Sequence, residues 1–294
     1  MIDKLEMFIA LARERHFGRA AEACGVTQPT LSAAIKQLEE QLGVMLVWRG
    51  SRYGGLTPEG ARALERARVI VADARALREE MRAVKEGLSG NLRVAAIPTA
   101  LAAVSALTKR LTTRHPNLSL TVLSRNSAEI LQMLEDLQID AGITYLENEP
   151  LGRVTALPLY TEHYNLVVRA DSPLAGRKTV RWAEAADEPL CLLTPDMQNR
   201  RIVDRHMAEA GAQAQARLES NSLITLIAHV QGGGWSTILP HRSAAPFLGG
   251  GAIVAVPLVE PEAEHVVGLI APHRDPLTPV LEALMEAARK TEFR

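Results

Sequence analysis

The sequence predicts a helix-rich N-terminal head, a long connecting helix and a C-terminal α/β domain of two lobes. Three observations predict it. Between Phe17 and Leu46, two short helical patterns flank Gly25 in the spacing of a helix-turn-helix. From Pro58 to Leu88, apolar or small residues (Ala63, Ala67, Ile70, Ala74, Leu77, Met81, Val84, Leu88) recur at alternating spacings of four and three, the periodicity of a coiled-coil seam. From Asn91 onward, short apolar runs alternate with amphipathic stretches, as strands and helices do in an α/β domain.

Taken in order, the first helix runs from about Ile2 to Arg15 and buries Leu5, Phe8, Ile9 and Ala12. Ala20, Ala21 and Ala23 let a second helix pack close, and Gly25 stops it, since glycine takes left-handed backbone angles cheaply. Thr27 caps the next helix and Pro29 sits in its first turn, where a missing N–H costs little. Leu31, Ile35, Leu38 and Leu42 form its apolar stripe, which leaves Gln28, Thr30, Ser32, Ala33 and Lys36 facing outward. A polar helix start held by a tight helix pair suits the major groove of DNA; the plain alternative is an αα-hairpin in a helical domain. Val44 to Thr57 reads as two short strands and a turn, with Arg49 and Arg52 placed to touch phosphate, or as a solvated basic loop. The helix from Pro58 needs a partner for its seam, because helices this long are stabilised mainly by packing. The flanking sequence looks self-contained, which favours a second copy of the chain over packing within it. Gly87, Ser89 and Gly90 then form a hinge.

Beyond the hinge, strands are predicted at Leu92–Ile97, Leu118–Leu123 and Ile139–Tyr145, with helices at Thr99–Arg114 and Ser127–Leu137. A strand at His163–Arg169 leaves this unit. Pro189–Leu193, a helix from about Arg200 to Glu209, Gln215–Asn221, a helix from Ser222 to Val230 and Gly234–Pro240 make a second unit. Glu264–Ala271 and a helix from Leu277 to Lys290 return to the first. In such sheets small molecules bind beyond the carboxyl ends of the strands, where helix N-termini favour anions. That selects Thr99 and Ala100, Ser127, Tyr145, and Gln198, Asn199 and Arg200 ahead of the second unit's first helix, and points to a small carboxylate. Taken singly, Thr99, Ser127 and Ser222 are better explained as helix caps, and the stretch around Arg200 as a surface turn; together they fall where an effector would sit.

Composition sets limits. The chain has 294 residues, enough for about two domains, and 47% of them are hydrophobic. No apolar run approaches the roughly 20 residues that span a bilayer, and the N-terminus lacks a signal-peptide pattern; the expected compartment is the cytoplasm, without membrane contact. Cys24 and Cys191, the two cysteines, suggest neither a disulfide framework nor a metal site. Net charge is −1, and the first 60 residues carry seven Lys/Arg against seven Asp/Glu. Phosphate contacts by Lys and Arg drive sequence-independent DNA affinity, so one head should bind weakly and several together would be needed.

The first 50 residues, nearly residue for residue, and LTPEG at Leu56–Gly60 resemble the N-terminus of LysR-type transcriptional regulators, and the resemblance runs through the whole chain. It implies a winged helix-turn-helix at 1–58, a linker and dimerisation helix with its hinge at 59–90, and a periplasmic-binding-protein-like effector domain at 91–294. Lobe I would cover about 91–161 and 267–294, and lobe II about 162–266. It implies that Thr27, Gln28, Pro29, Thr30, Ser32, Ala33, Lys36, Arg49 and Arg52 meet double-stranded DNA, and that Ile70, Leu77, Met81 and Val84 join a homodimer. Dimers would pair into a homotetramer that bends the operator, with RNA polymerase as a further partner. The effector would lie at Thr99, Ala100, Ser127, Tyr145, Gln198, Asn199 and Arg200, and no enzymatic activity, cofactor or metal is implied.

The PDMQNRR stretch (Pro195–Arg201) is similar to that of regulators found beside formate dehydrogenase operons. One subclass of the family senses peroxide through two cysteines in the second lobe. This chain has Gln198 near the reactive position, and Cys191 inside an apolar strand, where a thiol is usually inert. Ala33 and Ala34 stand where many members carry a basic or amide residue, and Val47 replaces the usual Phe of the wing. Two rivals remain: an enzyme with a helical dimerisation arm, and a solute-binding protein. Against the first, Gly232–Gly234 and Gly249–Gly251 lack the spacing of a phosphate loop, and neither HExxH nor GxSxG occurs. Against the second, no export signal is read and the first 90 residues would have no purpose.

Overall fold

The computed structural model describes residues 1–48, 53–147, 149–274 and 276–293. It divides into two compact units: Met1–Leu88 with Glu135–Gln138, and Ser89–Leu134 with Ile139–Arg294.

In the first unit, α1 (Ile2–Glu14), α2 (Phe17–Ala23), α3 (Gln28–Leu42) and the start of α4 (Pro58–Glu86) enclose one core. Phe8, Leu11, Ala20, Leu31, Leu38, Leu46 and Val71 are its most deeply buried members. Gly25 takes a φ of 66° after α2, and the Thr27 hydroxyl accepts from the Thr30 amide at 3.4 Å to cap α3. His16 caps α2 through Nδ1, which accepts from the Gly18 and Arg19 amides. Leu42, expected on the buried stripe, is exposed, because the chain turns at Gly43 and the core is closed from Leu46 instead. Among the described residues, the expected wing strands show one antiparallel bridge, Val47 with Leu56, flanked by Trp48 N–H to Gly55 O at 2.9 Å and Thr57 N–H to Leu46 O at 3.0 Å. Arg49 and Arg52, expected at its tip, lie outside the described residues. Glu39 is buried, and its carboxylate accepts from the Leu46 amide at 2.9 Å and the Val47 amide at 3.4 Å. It anchors the base of the wing, a role its sequence position does not reveal.

Along α4, the seam divides. Ala67 is buried with Leu64 and Val71 against the head's own core, so the first third of the helix packs within the chain. From Ile70 the seam is open: Leu77, Met81 and Val84 are 58%, 57% and 83% exposed.

The second unit begins with β1 (Gly90–Ala96), α5 (Leu101–Arg114), β2 (Leu118–Ser124), α6 (Ser127–Glu135), β3 (Ala141–Tyr145) and β4 (Val154–Arg169). It continues with β5 (Val180–Arg181), α7 (Trp182–Ala185), β6 (Leu190–Leu193), α8 (Gln198–Glu209), β7 (Ala216–Ser220) and α9 (Leu223–Gly232). β8 (Thr237–Pro240), α10 (His241–Ala244), β9 (Ile253–Val259), β10 (Glu264–Pro272) and α11 (Pro279–Arg289) complete it. β1 lies between parallel β2 and β3; β10 runs antiparallel to β3 and to residues 154–163 of β4. Residues 164–169 of β4 pair instead with β8 and β9. One 16-residue strand therefore passes from the first lobe's sheet into the second's, and the β9–β10 turn makes the return. The sequence pattern starts this strand only at His163; its first nine residues are interrupted by Pro158, which has no N–H to give a ladder.

Register places Ala96 beside Ser124 and Ile143, so Thr99, Ser127 and Tyr145 gather at one sheet edge. Their local roles differ from expectation. Thr99 sits in a 3₁₀ turn, Pro98–Ala100, ahead of α5 and does not cap it. α6 is capped by Asn126, whose Oδ1 accepts from the Glu129 amide at 2.8 Å while Glu129 accepts from the Asn126 amide at 3.0 Å, a capping box. Ser127 is spared that task. Gln198, Asn199 and Arg200 form the first turn of α8 rather than preceding it.

Gly60 shows the tightest backbone approach. A Cβ there would meet the Leu46 carbonyl oxygen at 1.9 Å. We expect Gly60→Ala to cost about 3 kcal/mol or more through overpacking. Gly25→Ala, with open space but a φ of 66°, should cost about 1 kcal/mol. Thermal melting of both variants checks the order.

Candidate functional site

Two sites emerge, one in each unit. In the head, Thr27, Gln28, Pro29, Thr30, Ser32, Ala33 and Lys36 are all exposed on the start and outer face of α3. The Thr27 and Thr30 hydroxyls pair at 2.9 Å, which ties Thr30 to the cap and leaves Gln28 and Ser32 as the polar tips best placed to reach outward. Lys36 lies 3.8 Å from Glu40. An exposed polar helix start with a cation about two turns on can enter a groove and touch phosphate.

In the second unit, residues from both lobes converge on one hydroxyl. Tyr145, at the end of β3, donates to Glu162 Oε2 at 2.7 Å. Asn199 Nδ2, from α8, donates to the Tyr145 oxygen at 3.1 Å and to the Tyr164 oxygen at 3.2 Å. Tyr145 and Tyr164 lie 3.2 Å apart, and Thr99 Oγ1 approaches Tyr145 at 3.5 Å. All five residues are buried. His265 on β10 packs edge-on against both tyrosine rings, and its Nε2 lies 2.8 Å from Nε2 of His206. Trp182 stacks against Tyr164 and His206.

Burial shapes the acid–base state of this cluster. It pushes the Glu162 carboxyl up to about 7, against the opposing pull of the Tyr145 hydrogen bond, Arg242 and Tyr160. It also raises both tyrosine hydroxyls well above their ordinary range, so they stay neutral. His265 is pushed down to about 4, chiefly by burial and then by His206 and Arg205, and is neutral at physiological pH.

Of the residues expected to meet an effector, Thr99, Tyr145 and Asn199 are brought together. Gln198 stands beside them and donates to the Glu147 carbonyl at 3.1 Å, and the Asn126 amide reaches Asp196 at 3.1 Å. Ser127 is buried and its hydroxyl has no partner among the described residues. Ala100 is buried and offers no side-chain polar group. Arg200 does not fit an anion site: its guanidinium is held by Asp204 at 2.8 Å, Glu219 at 2.7 Å and the Leu193 carbonyl at 2.9 Å, so its charge is already met. Glu162, Tyr164, His206 and His265 are members that the sequence did not single out. Tyr160, Glu162 and Tyr164 alternate along β4, and alternate residues share one face of a strand; that spacing was the available signal.

Residues 2–61 match the bacterial regulatory helix-turn-helix protein, lysR family, and residues 85–292 match the LysR substrate binding domain. The chain belongs to the LysR family. It is a DNA-binding transcriptional regulator and not an enzyme, which disposes of both rival readings. This regulator is 32% identical over 289 residues to the DNA-binding transcriptional dual regulator OxyR of Escherichia coli strain K12, covering 98% of this chain and 94% of that protein. It is 35% identical over 244 residues to the probable hydrogen peroxide-inducible genes activator of Mycobacterium avium, covering 82% and 78%. Among solved structures, a full-length OxyR variant from Pseudomonas aeruginosa is 28% identical with a TM-score of 0.77, covering 99% of this chain and 95% of that one. CbnR bound to its target DNA is 23% identical with a TM-score of 0.62 over 99% of both chains, a likeness of fold.

Glu162 gives a stability test. Its carboxyl titrates near 7 in the fold and at 4.5 when unperturbed, so between those values the native state holds the extra proton and stability falls as pH rises. At about 1.4 kcal/mol per pH unit, the loss complete by pH 8 is about 3 kcal/mol. His265 contributes the opposite slope below pH 6.5, so the comparison with the variant is what counts. We expect Glu162→Gln to melt above the parent at pH 8 and to lose that advantage at pH 5.

Proposed function

We propose that this LysR-family regulator senses a small carboxylate in the cleft between its two lobes, at Thr99, Ser127, Tyr145, Gln198 and Asn199. The meeting of Thr99 and Tyr145 from one lobe with Asn199 from the other carries the reading. A molecule entering there exchanges contacts with both lobes at once and favours one arrangement over the other, which is what a ligand must do to shift a conformational equilibrium. The unpartnered Ser127 hydroxyl, beside the amide end of α6, offers a donor that suits a carboxylate. Arg200 is not part of the site. The resemblance of Pro195–Arg201 to regulators beside formate dehydrogenase operons makes formate the first carboxylate to try. A hydrogen-peroxide response of the kind the relatives' names describe is not favoured: Cys191 is buried and its thiol is pushed up to about 11 by burial, so it holds little thiolate at neutral pH.

On DNA, Gln28, Ser32 and Lys36 present the reading face, and the open seam of Ile70, Leu77, Met81 and Val84 joins two copies. Pairing of dimers into a tetramer would set four weakly charged heads on neighbouring sites, so that a change at the cleft alters the bend between them.

Titration calorimetry of the full-length protein with formate, acetate and longer carboxylates should give heat with at least one; heat with none, but with an amine or a sugar, overturns the effector reading. A Leu77→Asp/Met81→Asp variant should be monomeric in sedimentation and lose footprinting of the chain's own upstream DNA. Gln28→Ala should stay dimeric and lose about 1–3 kcal/mol of specific affinity. Normal footprints from the seam variant would refute the dimer assignment.

A further inference from the structure

The cleft holds a carboxyl group in the very place proposed for a carboxylate. Glu162 is 1% exposed. The groups that face it come from several elements. From β3 comes Tyr145, whose hydroxyl donates at 2.7 Å. From the 3₁₀ turn and α8 come Thr99 and Asn199, which reach Glu162 only through Tyr145. On β4 itself, Tyr160 lies close enough to lower the carboxyl's pKa, yet neither its hydroxyl nor Glu162 Oε1 finds a partner in hydrogen-bonding geometry among the described residues. From β10, His265 sits at the paired register position and is held neutral. From α10, Arg242 acts on Glu162 through space while its guanidinium lies 4.7 Å from the centre of the Tyr160 ring. Neutral hydroxyls and an amide surround this acid, with one cation at a remove.

We propose that Glu162 is part of the effector site, and that a small monocarboxylate binds there together with one proton drawn from solvent and shared between the two carboxyl groups. The inference rests on the carboxylate reading above. Two carboxylates confined to one buried site cannot both keep their charge, and a single proton between them removes the repulsion and supplies a hydrogen bond. Glu162 is suited to this because its carboxyl already titrates near neutrality, so little free energy is needed to protonate it on binding. Its Oε1, without a partner in hydrogen-bonding geometry among the described residues and with Tyr160 as a near neighbour, gives the shared proton an oxygen that Tyr145 does not occupy. No bond beyond this proton's O–H is made or broken.

The test is calorimetry of the full-length protein with formate and with acetate, at pH 6, 7 and 8, in phosphate and in Tris, whose ionisation heats differ. The expected result is uptake of about one proton per site at pH 8 and almost none at pH 6. Affinity should be flat below pH 7 and fall about tenfold per pH unit above it. Glu162→Gln, a neutral group of the same shape, should bind with no proton uptake and no pH dependence across this range. Binding to the parent without proton uptake at pH 8 overturns this inference and leaves the carboxylate site standing. So does a Glu162→Gln protein that melts normally but no longer binds at pH 6. No binding of either acid at any pH, by parent or variant, overturns this inference, and the carboxylate reading falls with it if longer carboxylates also give no heat.

Discussion

The Tyr145 hydroxyl has one hydrogen to give and two lone pairs to share, and four neighbours compete for them. Glu162 takes the hydrogen; Asn199, Tyr164 and Thr99 stand at 3.1, 3.2 and 3.5 Å from the oxygen. Tyr145 and Thr99 belong to the first lobe and Asn199 to the second, so the hydrogen bonds that satisfy this buried hydroxyl also hold the lobes together. A buried polar group left without a partner costs about 1–3 kcal/mol. The cluster is therefore stable in two conditions only: closed upon itself, or wetted by water or a ligand. Separating the lobes without water or a ligand at the cluster would strand its members.

The surroundings reinforce this. Gln198 to the Glu147 carbonyl, Asn126 to Asp196 and Arg201 to Glu149 at 2.5 Å cross the same cleft. Of these outer contacts the Arg201–Glu149 pair is solvated and individually weak, as exposed ion pairs generally are, whereas Gln198 is buried. The inner cluster, shielded by Trp182 and the His206–His265 pair, sets the balance. β4 ties the two together, since one strand carries Glu162 and Tyr164 at the point where it leaves one sheet and enters the other. Glu162 therefore sits at the end of the segment of β4 that belongs to the first sheet.

Much of this is legible in the sequence where a local rule has one physical outcome. Gly25 had to stop a helix, Thr27 had to cap one, and the strand–helix alternation could only make an α/β domain. Where several residues compete for one task, the sequence misleads. Thr99, Ser127 and Asn126 all sit near helix starts, and only the structure shows that Asn126 takes the cap while Ser127 keeps a free hydroxyl. Arg200 looks like a cation awaiting an anion, although Asp204 is one turn away on the same helix and Glu219 is brought to it from β7; the latter proximity is tertiary. Glu162 is hidden by a strand whose first half is interrupted by Pro158, a residue that usually argues against a central strand. The seam on α4 reads as continuous in the sequence, whereas its first third is consumed by the head's own core.

The head raises a separate physical question, namely how a neutral unit meets a polyanion. Its acids do not all face outward. Glu39 is turned inward onto the Leu46 and Val47 amides, and Glu40 lies within reach of Lys36. The exposed start of α3 carries no acidic residue in its first turn, and its free amides add partial positive charge where a phosphate would approach. Local field at the reading face therefore exceeds what net charge suggests. It remains small, so each head's contact is weak and sensitive to salt. Occupancy of an operator then depends on how many heads engage together.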